Sequence, residues 1–252
     1  MEATSFSVVI PVYNEFDTWK ELLARVRAVN IPGLKRQIVL VEDGSKDGTR
    51  KQLEDFAREL SEAATASPAG EDIKVVFHAV NQGKGAALRT GFASADGDLV
   101  IVQDADLEYS PDDYPKLFEP ILSGQADVVY GSRFSAGRPA NTYWKNYAAN
   151  RALTWLSNLT TRLKITDMET CYKVVRRDIL NRVTIEQNRF GFEPEITAKL
   201  AQLGVRVVEL PIRYQGRKHE EGKKIGWKDG LKAIWCILKY GVFHRGRGIR
   251  NS

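Results

Sequence analysis

The sequence predicts an α/β protein with a mostly parallel central sheet flanked by helices. Three observations lead there. From Ser5 to Tyr130 short apolar runs alternate with longer segments of helical periodicity. The runs are apolar throughout rather than in–out alternating, as strands covered on both faces require. Four of them end in, or lead into, polar clusters, and in such sheets ligands bind outside the carboxyl ends of the strands.

The elements follow in order. Ser5–Val12 reads as a buried strand, and Asp17–Val29 as a helix with Leu22, Leu23, Val26 and Val29 on one stripe. Gln37–Val41 is the second strand and Asp47–Leu60 the second helix. Ser61–Asp72, SEAATASPAGED, is small, polar and broken by proline, and reads as a loop. Ile73–His78 is a strand, Lys84–Ala95 a helix, Asp98–Gln103 a strand, Pro111–Leu122 a helix and Asp127–Tyr130 a fifth strand. Beyond Gly137 the chain turns more helical and aromatic: a helix over Tyr143–Leu163, a short strand near Tyr172–Val175, a helix near Glu193–Leu203, a strand over Val205–Leu210 and a helix near Trp227–Tyr240. This organisation reads as one domain over residues 1–241, with halves at 1–133 and 134–241 and a basic tail over 242–252.

Composition narrows the classes. The 252 residues are 43% hydrophobic and 27% charged, as in ordinary globular proteins. Two distant cysteines, Cys171 and Cys236, build neither a disulfide framework nor a thiolate metal site and fit a reducing compartment. His78, His219 and His244 show no zinc-ligand spacing. The N-terminus carries no basic region followed by an apolar signal core, and no run reaches bilayer-spanning length. From Arg213 to Ser252 there are 11 Lys or Arg against 3 Asp or Glu, so the rest of the chain balances at −3. A basic end on a mildly acidic body suits a phosphorylated ligand or an anionic surface, while no nucleic-acid motif is present. A solvated basic tail explains the same charge.

The strand ends carry the chemistry: PVYNE (Pro11–Glu15), VEDGSKDGT (Val41–Thr49), NQGKGAA (Asn81–Ala87) and QDADLE (Gln103–Glu108). In extended backbone residues two apart face one side, so Asp104 and Asp106 can approach one Mg²⁺ or Mn²⁺ ion, with substrate phosphates completing the shell. An acidic turn capping the helix at Pro111 would use the same residues. Asp43 can accept hydrogen bonds from a base or sugar ring, or shape an Asp-Gly turn. Asp47 reads as the cap of the second helix. Gly83 and Gly85 allow close approach of backbone to ligand, with Lys84 between them. Arg133, in GSRF, and Arg217 with Lys218, in QGRKHEEGKK, can pair with phosphate. Glu193 and Glu195 are either acids of a helix N-terminus or groups facing a reaction centre. The P-loop GxxxxGK[ST], the dinucleotide GxGxxG and the hydrolase GxSxG are absent.

In order, PVYNE, VEDGSKDGT, NQGKG, QDADLE, GSR and DMETCYK resemble the inverting family 2 glycosyltransferases of the GT-A nucleotide-diphospho-sugar transferase fold, from Phe6 to about Gly241. Within them the likeness is toward dolichyl-phosphate mannose synthases and polyprenyl-phosphate glucosyltransferases. The resemblance implies a UDP- or GDP-hexose donor, bound around Pro11, Tyr13, Glu15, Asp43, Gly83 and Lys84. It implies Mg²⁺ or Mn²⁺ at Asp104 and Asp106, with Glu193 as a metal- or acceptor-side group, and Arg133 and Arg217 on phosphate. Two departures are visible: Cys171 stands where many relatives have glycine, and the QxxRW helix of processive synthases is missing.

The acceptor sets the mechanism. A hydroxyl needs a base in an inverting displacement, whereas an anionic polyprenyl or dolichyl phosphate needs cations that hold it in line. Arg133, Arg217 and the basic C-terminal region suit the phosphate; Glu193 and Asp167 are the carboxylates to inspect for a saccharide or small hydroxyl. Glu108 is expected in the turn, approaching the acceptor side at most. Trp227, Leu231, Ile234, Trp235 and Leu238 recur at helical spacing among Lys228, Lys232 and Lys239, with Arg245, Arg247 and Arg250 beyond. Such a helix suits an anionic membrane surface, with the aromatic 143–163 helix beside it, or ordinary core packing. The expectation is a metal-dependent hexosyltransferase, cytoplasmic and peripheral on the cytoplasmic face of a membrane. A catalytically silent sugar-nucleotide-binding protein is the alternative outside enzymes.

Overall fold

The computed structural model describes residues 3–66, 72–139, 142–216 and 227–250. The apolar runs form β1 (Ser5–Val12), β2 (Lys35–Glu42), β3 (Asp72–Phe77), β4 (Leu99–Val102), β5 (Val128–Ser132), β6 (Lys173–Arg176) and β7 (Val207–Pro211). They hydrogen-bond in the order β3-β2-β1-β4-β6-β5-β7. β6 alone runs antiparallel, wedged between β4 and β5; every other pairing is parallel. The strand read from the second half therefore lies inside the sheet, and both halves of the chain share one core from Phe6 to Ile237.

The helices are α1 (Trp19–Ala28), α2 (Thr49–Ala66), α3 (Lys84–Ser94), α4 (Tyr114–Leu122), α5 (Trp144–Thr161), α6 (Arg177–Leu180), α7 (Phe192–Gln202) and α8 (Trp227–Leu238). They cover both faces of the sheet. Phe6 of β1 meets Phe118 of α4 with ring centroids 5.0 Å apart. Val9, three residues on and so on the opposite face, lies so close to Gly91 of α3 that a Cβ there would sit 2.3 Å from it. α5, α7 and α8 pack on one another as a separate helical layer.

Three expectations need correction. The loop expected over 61–72 begins later, because α2 continues to Ala66; SEAATA is rich in helix-favouring alanine. α1 starts at Trp19, since Thr18 and Trp19 donate to the Glu15 carbonyl in a turn. The chain beyond residue 242 is no loose tail through Arg250: Val183 pairs with Ile249, Thr184 donates to the Gly248 carbonyl and Arg250 to that of Arg182.

Candidate active site

Register brings the polar strand ends to one edge. Val12 of β1 lies opposite Glu42 of β2, and Val9 opposite Val102 of β4. Loops after these three strands therefore open side by side. Pro11 and Tyr13 are half-buried at the end of β1. Glu15 lies beyond them, its carboxylate accepting from Thr18 Oγ1 at 2.6 Å. Asp47 accepts from the Thr49 amide at 3.0 Å, just before α2, as a helix-start acid should.

Asp43 is drawn inward. Its Oδ1 meets His78 Nδ1 at 2.7 Å and the Gln82 amide at 2.9 Å; its Oδ2 accepts from Asn81 Nδ2 at 2.8 Å and the Gly83 amide at 2.7 Å. Four donors fill the carboxylate's four lone-pair sites. The expected reading of a base or ring by this carboxylate gives way, in this arrangement, to holding residues 81–83. The NQGKG glycines also differ from expectation. A Cβ on Gly83 would meet the Asn188 carbonyl oxygen at 2.4 Å, and on Gly85 that of Gln187 at 2.1 Å. The backbone that approaches them is the 187–189 loop of the chain itself, and Gly83 also needs its φ of +101°.

This clasp aims Lys84, the first residue of α3, across the site. Its ammonium lies 2.9 Å from Asp104 Oδ1, just past β4, and 2.9 Å from Glu193 Oε1 in the first turn of α7. Burial works against the charge, but Asp104 and Glu193 outweigh it and hold the Lys84 pKa well above its ordinary value. The alternative posed by FEPE is resolved by these contacts. Glu193 faces the site, while Glu195 is buried against Lys199 at 2.6 Å and accepts the Glu186 and Gln187 amides at 2.8 Å.

The three carboxylates expected to share a cation do not form one group in this arrangement. Glu193 reaches Asp104 only through Lys84, and Asp106 accepts from the Glu108 amide at 3.1 Å in the turn after β4. Among the described residues no three His, Cys, Asp or Glu side chains form a metal-holding group. Glu108 ties the same turn to the end of β7, accepting from Tyr214 Oη at 3.1 Å.

Arg133 is committed elsewhere than to open solvent. Its guanidinium forms a fork on Asp167, with Nε to Oδ2 at 2.7 Å and Nη2 to Oδ1 at 2.8 Å, and it stacks over Phe134 and Tyr214. Arg217 and Lys218 lie outside the described residues.

Sequence reasoning passed over Glu169 and Lys173, both in DMETCYK. Glu169 Oε1 and Glu193 Oε2 are buried without a hydrogen-bond partner. Burial, reinforced by the Glu193 charge, pushes the Glu169 carboxyl up to about 8. Burial lowers the Lys173 pKa; its ammonium donates to the Met168 carbonyl at 3.1 Å and to that of Thr170. The available signal was the pair of opposite charges four residues apart in an otherwise strand-like run. Cys171, between them, is buried, and burial with Asp104 nearby holds its thiol well above the usual range.

The profile of glycosyl transferase family 2 matches residues 7–184. An undecaprenyl-phosphate mannosyltransferase of Micrococcus luteus is 29% identical, over 96% of each chain. An undecaprenyl-phosphate 4-deoxy-4-formamido-L-arabinose transferase of Klebsiella pneumoniae is 34% identical over 86% of this chain. A dolichol-phosphate mannosyltransferase of Pyrococcus furiosus is 30% identical over 93% of it. The chain spans 62% and 64% of the last two proteins. A crystal structure of Mycobacterium tuberculosis glucosyl-3-phosphoglycerate synthase with Mn²⁺, UDP and glucosyl-3-phosphoglycerate aligns at TM-score 0.64. It is 21% identical and covers 99% of this chain and 82% of that one. At that identity the likeness speaks for the fold, which is GT-A. With the profile covering most of the sequence and the sheet edge carrying its motifs, the chain belongs to glycosyl transferase family 2.

Proposed function

We propose that the protein transfers one hexose, glucose or mannose, from a UDP- or GDP-sugar to a polyprenyl or dolichyl phosphate, with inversion at the anomeric carbon. The observation that carries this reading is Asp104 at the carboxyl end of β4, already holding a cationic group, the Lys84 ammonium, at 2.9 Å. Similarity to an undecaprenyl-phosphate mannosyltransferase along the length of both chains supports the lipid-phosphate acceptor.

The residues fit a divalent ion completed by substrate phosphates. Asp104 is partly exposed and binds a cation, and among the described residues no third carboxylate closes the shell. Asp104 and Asp106 would hold Mg²⁺ or Mn²⁺, which supplies charge neutralisation of the departing nucleoside diphosphate. Lys84 adds a fixed positive charge on the same side, tethered between donor-side Asp104 and acceptor-side Glu193. Pro11, Tyr13 and Glu15 line the nucleotide end, and Asp43 acts by fixing residues 81–83. Arg133 holds Asp167 and the wall beside the acceptor; Arg217 offers a cation to the phosphates. A lipid phosphate is already ionised, so attack needs alignment more than a base. No described helix is long and apolar enough to cross a membrane. In this reading the lipid phosphate is met from the membrane surface, at its cytoplasmic face.

One observation favours a second reading, a hydroxyl acceptor: Glu169, with its raised pKa and unpartnered oxygen, has the properties of a general base. Both readings are tested by incubating radiolabelled UDP- and GDP-hexoses with polyprenyl phosphate or free saccharides, then extracting with organic solvent. Metal-dependent label in the organic phase is expected. Label transferred solely to water-soluble acceptors would overturn the lipid-phosphate reading.

A further inference from the structure

α5 and α8 lie against each other, and just past α8 Gly241 is so close to Thr160 that a Cβ would sit 2.5 Å from its hydroxyl oxygen. The outer side of this pair is strongly apolar. Trp144, Trp155 and Leu159 of α5 are each about two-thirds exposed, as is Phe243; Leu231 and Trp235 of α8 are more than half exposed. At 100° per residue, Trp144, Trp155 and Leu159 fall within about 60° of one another, with exposed Arg151 about 20° beyond the stripe's edge. Leu231 and Trp235 are one turn apart, and Trp235 and Phe243 have ring centroids 6.5 Å apart. These side chains are too many and too large for ordinary surface scatter.

The charge around them is one-sided. α5 contains no Asp or Glu, and from Trp227 to Ser252 six Lys or Arg stand against Asp229 alone. Lys232, Arg245 and Arg247 are exposed. Two copies meeting through this face would bring like charges together. A surface that is apolar in depth and anionic at its rim satisfies both features at once.

We propose that the α5–α8 face docks the protein on an anionic lipid bilayer, with the aromatic and leucine side chains entering the interface and the Lys and Arg side chains on the headgroups. The inference rests on the lipid-phosphate reading for its purpose, since α8 and the turn after it pack on the loop beside the site. Cys236 Sγ would lie 2.7 Å from a Cβ on Gly191, two residues before Glu193, and Gln187 donates to Tyr240 Oη at 2.8 Å. The docked face is thus one helix thickness from the loop that packs on Gly83 and Gly85.

The test is co-sedimentation of the full chain with vesicles of phosphatidylcholine alone, or with about a third phosphatidylglycerol, neither containing polyprenyl phosphate. Binding to the anionic vesicles is expected, at least about tenfold stronger than to neutral ones. Trp155→Ser with Leu159→Ser, and Trp235→Ser with Phe243→Ser, are each expected to lower partitioning about tenfold or more. All four side chains are over half exposed, so circular dichroism and melting should be unchanged. Lys232→Gln with Arg245→Gln, also at exposed positions, is expected to cost about 25-fold, at about fivefold per charge removed. Full-length protein left in solution with anionic vesicles overturns the proposal. So does a concentration-dependent dimer that the Trp235→Ser pair abolishes. Transfer to polyprenyl phosphate in detergent micelles is measured separately. Vesicle binding without such transfer upholds docking and removes the acceptor assignment; transfer without vesicle binding does the reverse.

Discussion

Replacing Lys84 by Met keeps the stem and most of the volume but removes the charge between Asp104 and Glu193. Both partners lie 2.9 Å from the ammonium, with the Glu193 side chain 5% exposed and that of Asp104 22%. Breaking a buried pair by deleting one partner costs about 3–5 kcal/mol, and the partial exposure of Asp104 argues for the lower end, about 3 kcal/mol. At about 2–4 °C per kcal/mol for a chain of this size, Tm should fall by about 6–12 °C at pH 7. The folded Lys84 pKa is raised, so its contribution is complete below its unfolded value and fades only as pH climbs through the folded one. The difference between wild type and variant should therefore be flat from pH 6 to 10. Millimolar Mn²⁺ should raise the Tm of the variant more than that of the wild type, because two carboxylates are left without their cation. Calorimetry with and without EDTA reads all of this. A Tm within about 2 °C of wild type, or equal Mn²⁺ responses, would refute the reasoning.

Three further outcomes are expected. Asp104→Asn should lower kcat/KM about 10²–10³-fold with the melting profile retained within a few degrees, read by the extraction assay; unchanged turnover would remove Asp104 from the reaction. Glu169 has a carboxyl raised from 4.5 to about 8, so the stability it permits is full below pH 4.5 and is lost as pH rises through 8. Glu169→Gln should remove roughly 3–5 kcal/mol of that decline in urea titrations between pH 5 and 9; an unchanged slope would count against a buried neutral acid. Gly85→Ala should gain about 1 kcal/mol on helix propensity alone, yet its Cβ would sit 2.1 Å from the Gln187 oxygen. Net destabilisation of about 1–3 kcal/mol is therefore expected in thermal melts, and a stabilised variant would show that the 187–189 loop yields freely.

The parts of the fold legible in the sequence are those set by local pattern. β1, β2 and β4 are uninterrupted apolar runs, and their polar ends mark the site edge without help from distant residues. β6 was legible as a strand but not as antiparallel, because four residues carry no direction. Asp43 illustrates the harder case. Its four donors come from residues 78–83, at least 35 positions away, so the sequence offered a turn or a ligand contact and gave no sign of the clasp. Arg133 and Asp167 are likewise 34 positions apart. For Glu193 and Glu195 a local signal did exist: Lys199 stands four residues after Glu195, the spacing of a helical ion pair, which leaves Glu193 to turn toward the sheet.

Lys84 gains its position from both halves of the chain at once. Asp43 pulls residues 81–83 down from β2, and the 187–189 backbone presses on Gly83 and Gly85 from the side of α7. The Ala86 amide donates to the Asn188 carbonyl at 3.1 Å, completing the contact. The helices α3 and α7 thus present their N-termini to the same space, bound by one ammonium that has a carboxylate on either side. Both helix dipoles favour negative charge there, which suits Glu193 and would equally suit phosphate oxygens. Changing the loop over 81–83 therefore disturbs α7. A group replacing Lys84 on Asp104 leaves the ammonium to Glu193 alone, so the charge balance of the two sides is coupled through a single side chain.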